Sequence, residues 1–319
     1  MMKCFLGIDT SCYTTSLAVL DDTGRLIADK RRLLAVKSGA KGLAQSEMVF
    51  QHTRNLPVLF EELSAKMNSP LKPAAIGVSA WPRALPDSYM PAFVAGEGCA
   101  RVLAAVQGVQ LWRLSHQEGH ILAGVWSAGG PDTEQFLAVH ASGGTTEIVL
   151  VTGPDRQAGR ITLLGGSNDL QAGQFVDRIG VALQLPFPAG RHLEQLARGY
   201  HAAAAPVPVA ADGLQVSFSG PASHCLRLLD KGADPPAVAA GVELCIAGTL
   251  SQMVIAAMRQ TGVLEVLLVG GVMSNLFIRE TIVGKLRDFS GQVKVYLPEP
   301  AYSPDNAVGA AFFALQQST

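Results

Sequence analysis

Leu-Gly-Ile-Asp-Thr-Ser-Cys-Tyr-Thr-Thr-Ser-Leu-Ala-Val-Leu at 6–20 and Leu-Ala-Val-His-Ala-Ser-Gly-Gly-Thr-Thr-Glu-Ile-Val-Leu-Val at 137–151 lie over one another without a gap. The constant offset sets Ser11 on Ser142, Thr14 on Thr145, Thr15 on Thr146, and Leu17 to Leu20 on Ile148 to Val151. Each copy reads as an apolar strand, a turn of small polar residues and a second apolar strand. Such a repeat points to one supersecondary unit used twice, a duplicated β-meander with helices in an α/β chain. The alternative is two unrelated hairpins whose small polar turns look alike.

Working outward from the first copy, a third strand is expected at 25–30, a helix over 43–66, a strand at 74–78, a helix over 92–106, a short strand at 110–114 and a helix over 116–126. Ser-Ala-Gly-Gly-Pro at 127–131 then punctuates the chain. The expected organisation is a first lobe over 1–127, a second over 128–304 and a last segment, 305–319, containing the final helix. Beyond the second copy the sequence reads as mostly helical, with a long helix over 237–260, a strand at 263–269 and a strand at 293–297. The alanine-rich 202–211 reads as a surface loop or short linker.

Composition narrows the function. With 319 residues and 48% apolar content the chain buries a large core, and 25 basic against 26 acidic residues rule out a global positive field for holding nucleic acid. Five scattered cysteines offer no disulfide framework and no zinc-type spacing. Cys12 is set apart only by its place in the first polar turn. Apolar runs such as 263–272 fall short of the ~20 residues of a membrane-spanning helix, and the N-terminus lacks the apolar stretch of a secretory signal. The expectation is a cytoplasmic protein with no membrane partner.

Turns of Ser, Thr and Gly between strands expose backbone N–H groups and hydroxyls with little bulk, which suits phosphate. Asp9 to Thr15, with Ser11, is one such turn, and Ser142, Gly143, Gly144, Thr145 and Thr146 form another. Gly270 and Gly271 follow an apolar strand and lead through Ser274 and Asn275 into a helix, so a nucleotide is expected near that helix's positive end. His116 and His120 stand at i and i+4 of one helix turn, the spacing at which two imidazoles share a metal. Glu118 lies about 200° around that helix from His116, which is not the register of a zinc-protease helix. A third, hard ligand is available in Asp305, if the fold returns the last helix to His116. Asp177 is a candidate acceptor for a ribose or amine, or else an exposed helix carboxylate paired with Arg178. Lys30, Arg31 and Arg32 with Lys37 and Lys41 form the densest basic stretch, read as a solvated loop before an RNA contact.

Together, Gly-Ile-Asp-Thr-Ser-Cys at 7–12, His-Gln-Glu-Gly-His at 116–120, Ala-Ser-Gly-Gly-Thr-Thr at 141–146, Ala-Gly-Gln-Phe-Val-Asp-Arg at 172–178, Ser-Phe-Ser-Gly at 217–220, Val-Gly-Gly-Val-Met-Ser-Asn at 269–275 and Ser-Pro-Asp-Asn at 303–306 resemble the TsaD family, formerly called O-sialoglycoprotein endopeptidases or glycoproteases. The resemblance implies the two-lobed fold of actin, heat-shock ATPases and sugar kinases, which returns the C-terminal helix to the first lobe. It implies one divalent metal ion, iron or zinc, on His116, His120 and Asp305. It also implies ATP or threonylcarbamoyl-AMP at Ser142, Gly143, Gly144, Asp177, Gly190 and Asn275. The implied reaction transfers a threonylcarbamoyl group from its AMP adduct to the exocyclic amine of the adenosine beside the tRNA anticodon, with the metal as Lewis acid and phosphate template. The implied partners are tRNA, a paralogous dimerisation partner and a small ATPase.

Three departures from the family pattern bear on catalysis. The acidic pair that follows Ser-Cys in the family is Tyr13 and Thr14 here, the His after Ser-Gly-Gly is Thr145, and Trp81 to Asp87 replaces a Gly-Pro-Gly run. Losing two carboxylates removes groups that orient or deprotonate an amine. A non-catalytic or repurposed ATP-binding paralog, acting as partner or scaffold, therefore stands beside the transferase reading. A metalloprotease, the third reading, has the register of Glu118 against it.

Overall fold

The computed structural model describes residues 3–11, 13–36, 43–67, 70–85, 87–153 and 160–318, so Cys12, Lys37, Lys41 and Pro86 lie outside the described residues. The described residues fall into two compact units. One comprises those up to Gly130 together with those from Asp305 onward, and the other those between Pro131 and Pro304.

In the first unit, β1 (Cys4–Asp9), β2 (Thr14–Asp21) and β3 (Leu26–Leu33) form an antiparallel meander, and β4 (Ala75–Trp81) and β5 (Gln110–Ser115) extend the sheet in parallel, giving the order β3-β2-β1-β4-β5. Every residue of β1 and β2 is buried, the pattern of strands covered on both faces. The cover includes α1 (Gln45–Met67) and α2 (Ala92–Gln107), whose Leu56, Leu59, Leu63, Ala100 and Ala104 join the core of Leu6, Ile8, Leu17 and Val78. Next comes α3 (His116–Ala128), which Gly129 ends in a left-handed conformation, with φ of 66° and its N–H on Val125 O. Gly130 N–H bonds the same carbonyl at 3.0 Å.

The last helix, α9 (Val308–Gln316), lies against β1, β4 and α3. Its approach is so close that only glycine fits at three points. A Cβ on Gly7 would stand 2.0 Å from Ala307 O, one on Gly77 1.9 Å from Ala310 O, and one on Gly309 1.9 Å from Gly119 O. The small residues of α9, Gly309, Ala310 and Ala311, are thus a packing surface for backbone on backbone.

The second unit repeats the plan. β6 (Gln135–Ala141), β7 (Thr146–Thr152) and β8 (Arg160–Ser167) form the meander, and β11 (Glu265–Val269) and β12 (Lys294–Tyr296) add in parallel, with short β9 (Ala211–Asp212) and β10 (Gln215–Val216) beyond β8. The core order β8-β7-β6-β11-β12 is that of the first sheet. Pairing register repeats as well: Leu6 faces Val19 as Leu137 faces Leu150, and Ile8 faces Leu17 as Val139 faces Ile148. The sequence offset therefore carries every strand pair of the first hairpin onto the second, and the unrelated-hairpin alternative is set aside. β8 was not expected, because the region after the second copy reads as mostly helical. It forms as the third strand of the repeated meander by pairing along β7.

Helices α4 (Ala172–Ala182), α5 (Gly190–Ala197), α6 (Ser219–Asp230), α7 (Pro235–Thr261) and α8 (Leu276–Phe289) complete this unit. By length and composition α7 could cross a membrane, a match that the 263–272 run did not reveal. With 83% of its apolar window buried inside the protein, its apolarity is that of a core helix. The alanine-rich 202–211 is not a free linker either. It is strapped along α7 by Ala205 N–H to Ala237 O (2.8 Å), Ala210 N–H to Thr249 Oγ1 (3.1 Å) and Cys245 Sγ to Pro208 O (3.1 Å), and α7 carries Gly241 and Gly248 where the strap lies closest.

Candidate functional site

Ser115 caps α3, and the cap decides what Glu118 does. Ser115 Oγ accepts from Glu118 N–H at 3.1 Å, and Glu118 Oε2 accepts from Ser115 N–H at 2.6 Å, a reciprocal capping box. Glu118, in the middle of His-Gln-Glu-Gly-His, is therefore a helix-cap residue. His116 and His120 project from the same first turns, ring centroids 4.4 Å apart. Asp305, just before α9, brings Oδ1 to 3.5 Å from His116 Nε2 and 3.3 Å from His120 Nε2. One ligand atom from each of the three lies within 4.8 Å of the others.

Behind His116 stands Asp9, at the end of β1, with Oδ2 3.0 Å from Nδ1. That contact places a proton on Nδ1 and turns Nε2 toward His120 and Asp305, the carboxylate–histidine arrangement found behind metal-ligating imidazoles. Asp9 is itself fixed: Oδ1 accepts Ser11 N–H at 2.8 Å and the Ser11 hydroxyl. Two imidazole nitrogens and a carboxylate oxygen converging at this spacing, with the outer carboxylate in place, suit a borderline or hard divalent cation.

The charges reinforce one another. Burial pushes His116 down, but Asp9 and Asp305 outweigh it and raise the imidazole from 6.5 to about 10. Burial and then the charge of His116 lower His120. Asp305 lies well below the ordinary carboxylate range, because hydrogen bonds and charge from both histidines outweigh its burial.

The first polar turn does not offer hydroxyls to a ligand as expected. Thr10, Ser11 and Thr15 are fully buried. Besides the pairing of Ser11 with Asp9, Thr10 Oγ1 donates to Ala92 O and accepts from Gly96 N–H, both at 3.0 Å, and Thr15 Oγ1 meets His52 Nδ1 at 2.9 Å. Tyr13 packs against Leu34, Met48 and Ala92. Ser11 thus acts on Asp9, while Tyr13 packs into that apolar group and Thr14 is buried. The basic stretch is likewise engaged within the described residues: Arg31 pairs with Asp29, and Lys30 and Arg32 pair with Glu62, on a strand instead of a loop.

The second turn is different. Gly143 and Gly144 are exposed, and a Cβ on either meets nothing within 4 Å. The turn is held by Ser142 Oγ, which accepts from Gly144 N–H (3.3 Å) and Thr145 N–H (3.2 Å). Gly173, at the start of α4, lets that helix nest under it: its N–H donates to Ser142 O at 3.0 Å, and a Cβ would stand 2.6 Å from Gly143 N. Gly270, at φ 99°, abuts Ala141 O, where a Cβ would lie at 2.3 Å. Both glycine elements therefore sit at the carboxyl ends of adjacent parallel strands, β6 and β11, the usual place for a ligand in an open α/β sheet.

Gly270 and Gly271 do not enter a helix directly. A 3-10 turn, Gly271–Ser274, intervenes, and Asn275 caps α8 with Oδ1 accepting Ile278 N–H at 2.9 Å. Asp177 is half-buried on α4, and its Oδ1 accepts Ala189 N–H at 2.8 Å, which ties down the residue before exposed Gly190. Burial raises its pKa against that bond. Neither the ribose role nor the pairing with Arg178 anticipated this staple, and sequence carries no signal for it.

Comparison with known proteins matches this architecture. An activator of 2-hydroxyisocaproyl-CoA dehydratase from Clostridium difficile superposes with a TM-score of 0.55 at 14% identity, over 100% of this chain and 96% of its own. A ROK family glucokinase from Streptomyces griseus gives 0.53 at 14% identity, over 99% and 100%. At such identities these speak for the fold alone, the α/β fold of actin-like ATPases and sugar kinases. A tRNA N6-adenosine threonylcarbamoyltransferase from Thermus thermophilus is 32% identical over 314 residues, 97% of this chain and 91% of that protein. The family model TsaD, described as tRNA N6-adenosine threonylcarbamoyltransferase, matches residues 40–312. With the histidine pair, the glycine turns and the duplicated sheet all in the matched chain, the protein belongs to the TsaD family of transferases.

Proposed function

We propose that the protein transfers a threonylcarbamoyl group from its AMP adduct to the exocyclic amine of the adenosine beside the tRNA anticodon. The observation that carries the reading is the convergence of His116, His120 and Asp305 within 4.8 Å, with Asp9 fixing the tautomer of His116. These three residues hold one divalent cation, iron or zinc, which when bound supplies Lewis acidity and a template for phosphate oxygens. In the second unit Ser142, Gly143, Gly144, Asp177, Gly190, Gly270, Gly271 and Asn275 receive ATP or threonylcarbamoyl-AMP. The open backbone edge at Gly143 and Gly144 lets a nucleotide lie directly on the chain. Ser11 acts from behind, by holding Asp9. The partners are tRNA, a paralogous dimerisation partner and a small ATPase, in the cytoplasm.

Incubation with threonine, bicarbonate, ATP, tRNA, the family's adenylate-forming enzyme, the paralogous partner and the small ATPase tests the reading. Modified adenosine is expected, and its absence above a metal-stripped control would refute transfer. A second reading, an ATP-binding paralog that serves as a scaffold, is favoured by one observation: Tyr13 and Thr14 form packed wall where the family carries acids. It predicts nucleotide binding without turnover. The metalloprotease reading has against it the capping box that engages Glu118.

A further inference from the structure

The strap along α7 begins with a group that the proposed chemistry leaves unused. His201 brings Nε2 to 2.6 Å from Glu243 Oε2 and stacks its ring on Phe277, with centroids 3.4 Å apart and planes at 15°. Glu243 lies on α7 and is 1% exposed. Its other oxygen, Oε1, accepts from Asn275 Nδ2. A carboxylate taken this far from water needs partners for both oxygens, and it has them on two different elements.

Asn275 is thereby held from two sides. Ile278 N–H is a donor and requires the amide oxygen, whereas the Glu243 carboxylate accepts and requires the amide nitrogen. The two contacts demand the same flip of the side chain. His201 grips both ends of the arrangement, Glu243 by its hydrogen bond and the first turn of α8 by its stack on Phe277. Glu194 Oε1 takes Leu276 N–H at 3.0 Å, so the helix start is anchored at neighbouring residues.

We infer that the His201–Glu243 pair is a positioning device for the Gly270–Asn275 turn, holding the Asn275 amide in one flip so that its second Nδ2 proton is a fixed donor for an acceptor atom of the nucleotide. This rests on reading that turn as part of a nucleotide site. Glu243 and His201 are positioning residues and touch no ligand themselves. Removing the carboxylate leaves the amide held only by Ile278 N–H, and the donor is then presented less firmly.

The test uses the full chain with Glu243→Leu, Glu243→Gln and His201→Phe, and two readouts. The first is ATP affinity by calorimetry, and the second is the Asn275 side-chain amide signals of the nitrogen-labelled, ligand-free protein, assigned by their loss in Asn275→Ala. Glu243→Gln keeps an acceptor oxygen, so it should bind ATP within about two-fold of the parent and retain the separated Asn275 signals. Glu243→Leu should weaken ATP about ten-fold and draw the two proton signals together. Glu243→Leu and Glu243→Gln behaving alike in both readouts would overturn the inference. Should Glu243→Leu fail to fold, His201→Phe keeps the stack on Phe277 and removes only the bond to Glu243; its Asn275 signals should shift, and unmoved signals would overturn the inference. If the parent protein binds no ATP, the nucleotide reading fails, and the Asn275 signals still decide whether the pair positions the amide.

Discussion

Replacing Gly309 by Ala tests how Asp305 is delivered to the histidines. The new Cβ would stand 1.9 Å from Gly119 O, 2.7 Å from Gly119 C and 2.9 Å from Ala123 N, all backbone atoms of α3. Ordinary contact begins near 3.4 Å, so α9 and α3 must part by about 1.5 Å at this point, because neither helix backbone can rotate out of the way. Overpacking of this kind costs about 1–3 kcal/mol, and a rigid backbone neighbour puts it at the upper end. For a chain of this size that lowers Tm by roughly 3–5 °C. Asp305 lies four residues before Gly309, and metal–ligand distances tolerate only about 0.2 Å, so metal affinity should fall by at least about ten-fold. Thermal unfolding with and without metal, together with chelator competition, reads both effects. Gly98→Ala in α2, where a Cβ meets nothing within 4 Å, is the control and should be neutral or slightly stabilising. If Gly309→Ala matched the parent in Tm and in metal affinity, backbone-on-backbone seating of α9 would not be what places Asp305.

Asp9→Asn should weaken metal binding by about 10- to 100-fold with the three ligands intact, because the outer-shell carboxylate that fixes the His116 tautomer is lost; unchanged affinity in chelator competition would argue against it. His116 is raised from 6.5 to about 10, against its burial, by Asp9 and Asp305, so the metal-free protein gains stability from this group in full below pH 6.5 and loses it as pH climbs toward 10. Metal displaces the same proton, so its affinity should rise about ten-fold per pH unit across that window; opposite slopes of Tm without metal and of metal affinity are the signature, and a flat Tm profile with chelator would contradict it. Glu118→Gln preserves the capping box and should leave metal affinity, Tm and transfer activity near those of the parent, whereas loss of activity at unchanged Tm would give Glu118 a chemical role. Gly270→Ala sets a Cβ 2.3 Å from Ala141 O at a φ of 99° and should lower Tm and weaken ATP together; normal ATP binding would remove this turn from the site.

The duplicated unit was readable because strand period and turn chemistry are local properties, and an ungapped offset preserves side-chain direction strand by strand. The histidine pair was readable for a similar reason: i and i+4 share a helix face whatever surrounds the helix. The third strand of the second meander is not legible in the sequence, since Arg160–Ser167 has weak alternation and becomes a strand by pairing along β7. The strap after His201 reads as a surface loop or short linker because its alanines carry no periodic signal, while the glycines that receive it are on α7.

Other properties belong to the assembled chain alone. Ser11 and Ser142 are equivalent in the repeat, yet one is fully buried against Asp9 and the other holds an exposed turn. Accessibility is a property of what packs on a turn, and the turn's own sequence does not contain it. Asp305 lies far along the chain from His116, and no local pattern joins them. What joins them is the absence of side chains at Gly7, Gly77 and Gly309, which lets α9 settle against β1, β4 and α3. The sequence alone determined the repeat and the chemistry of the candidate ligands, because these follow from residue type and spacing. Only tertiary packing decided which hydroxyls face inward, which carboxylate stands behind which imidazole, and that residues from the middle and the end of the chain meet.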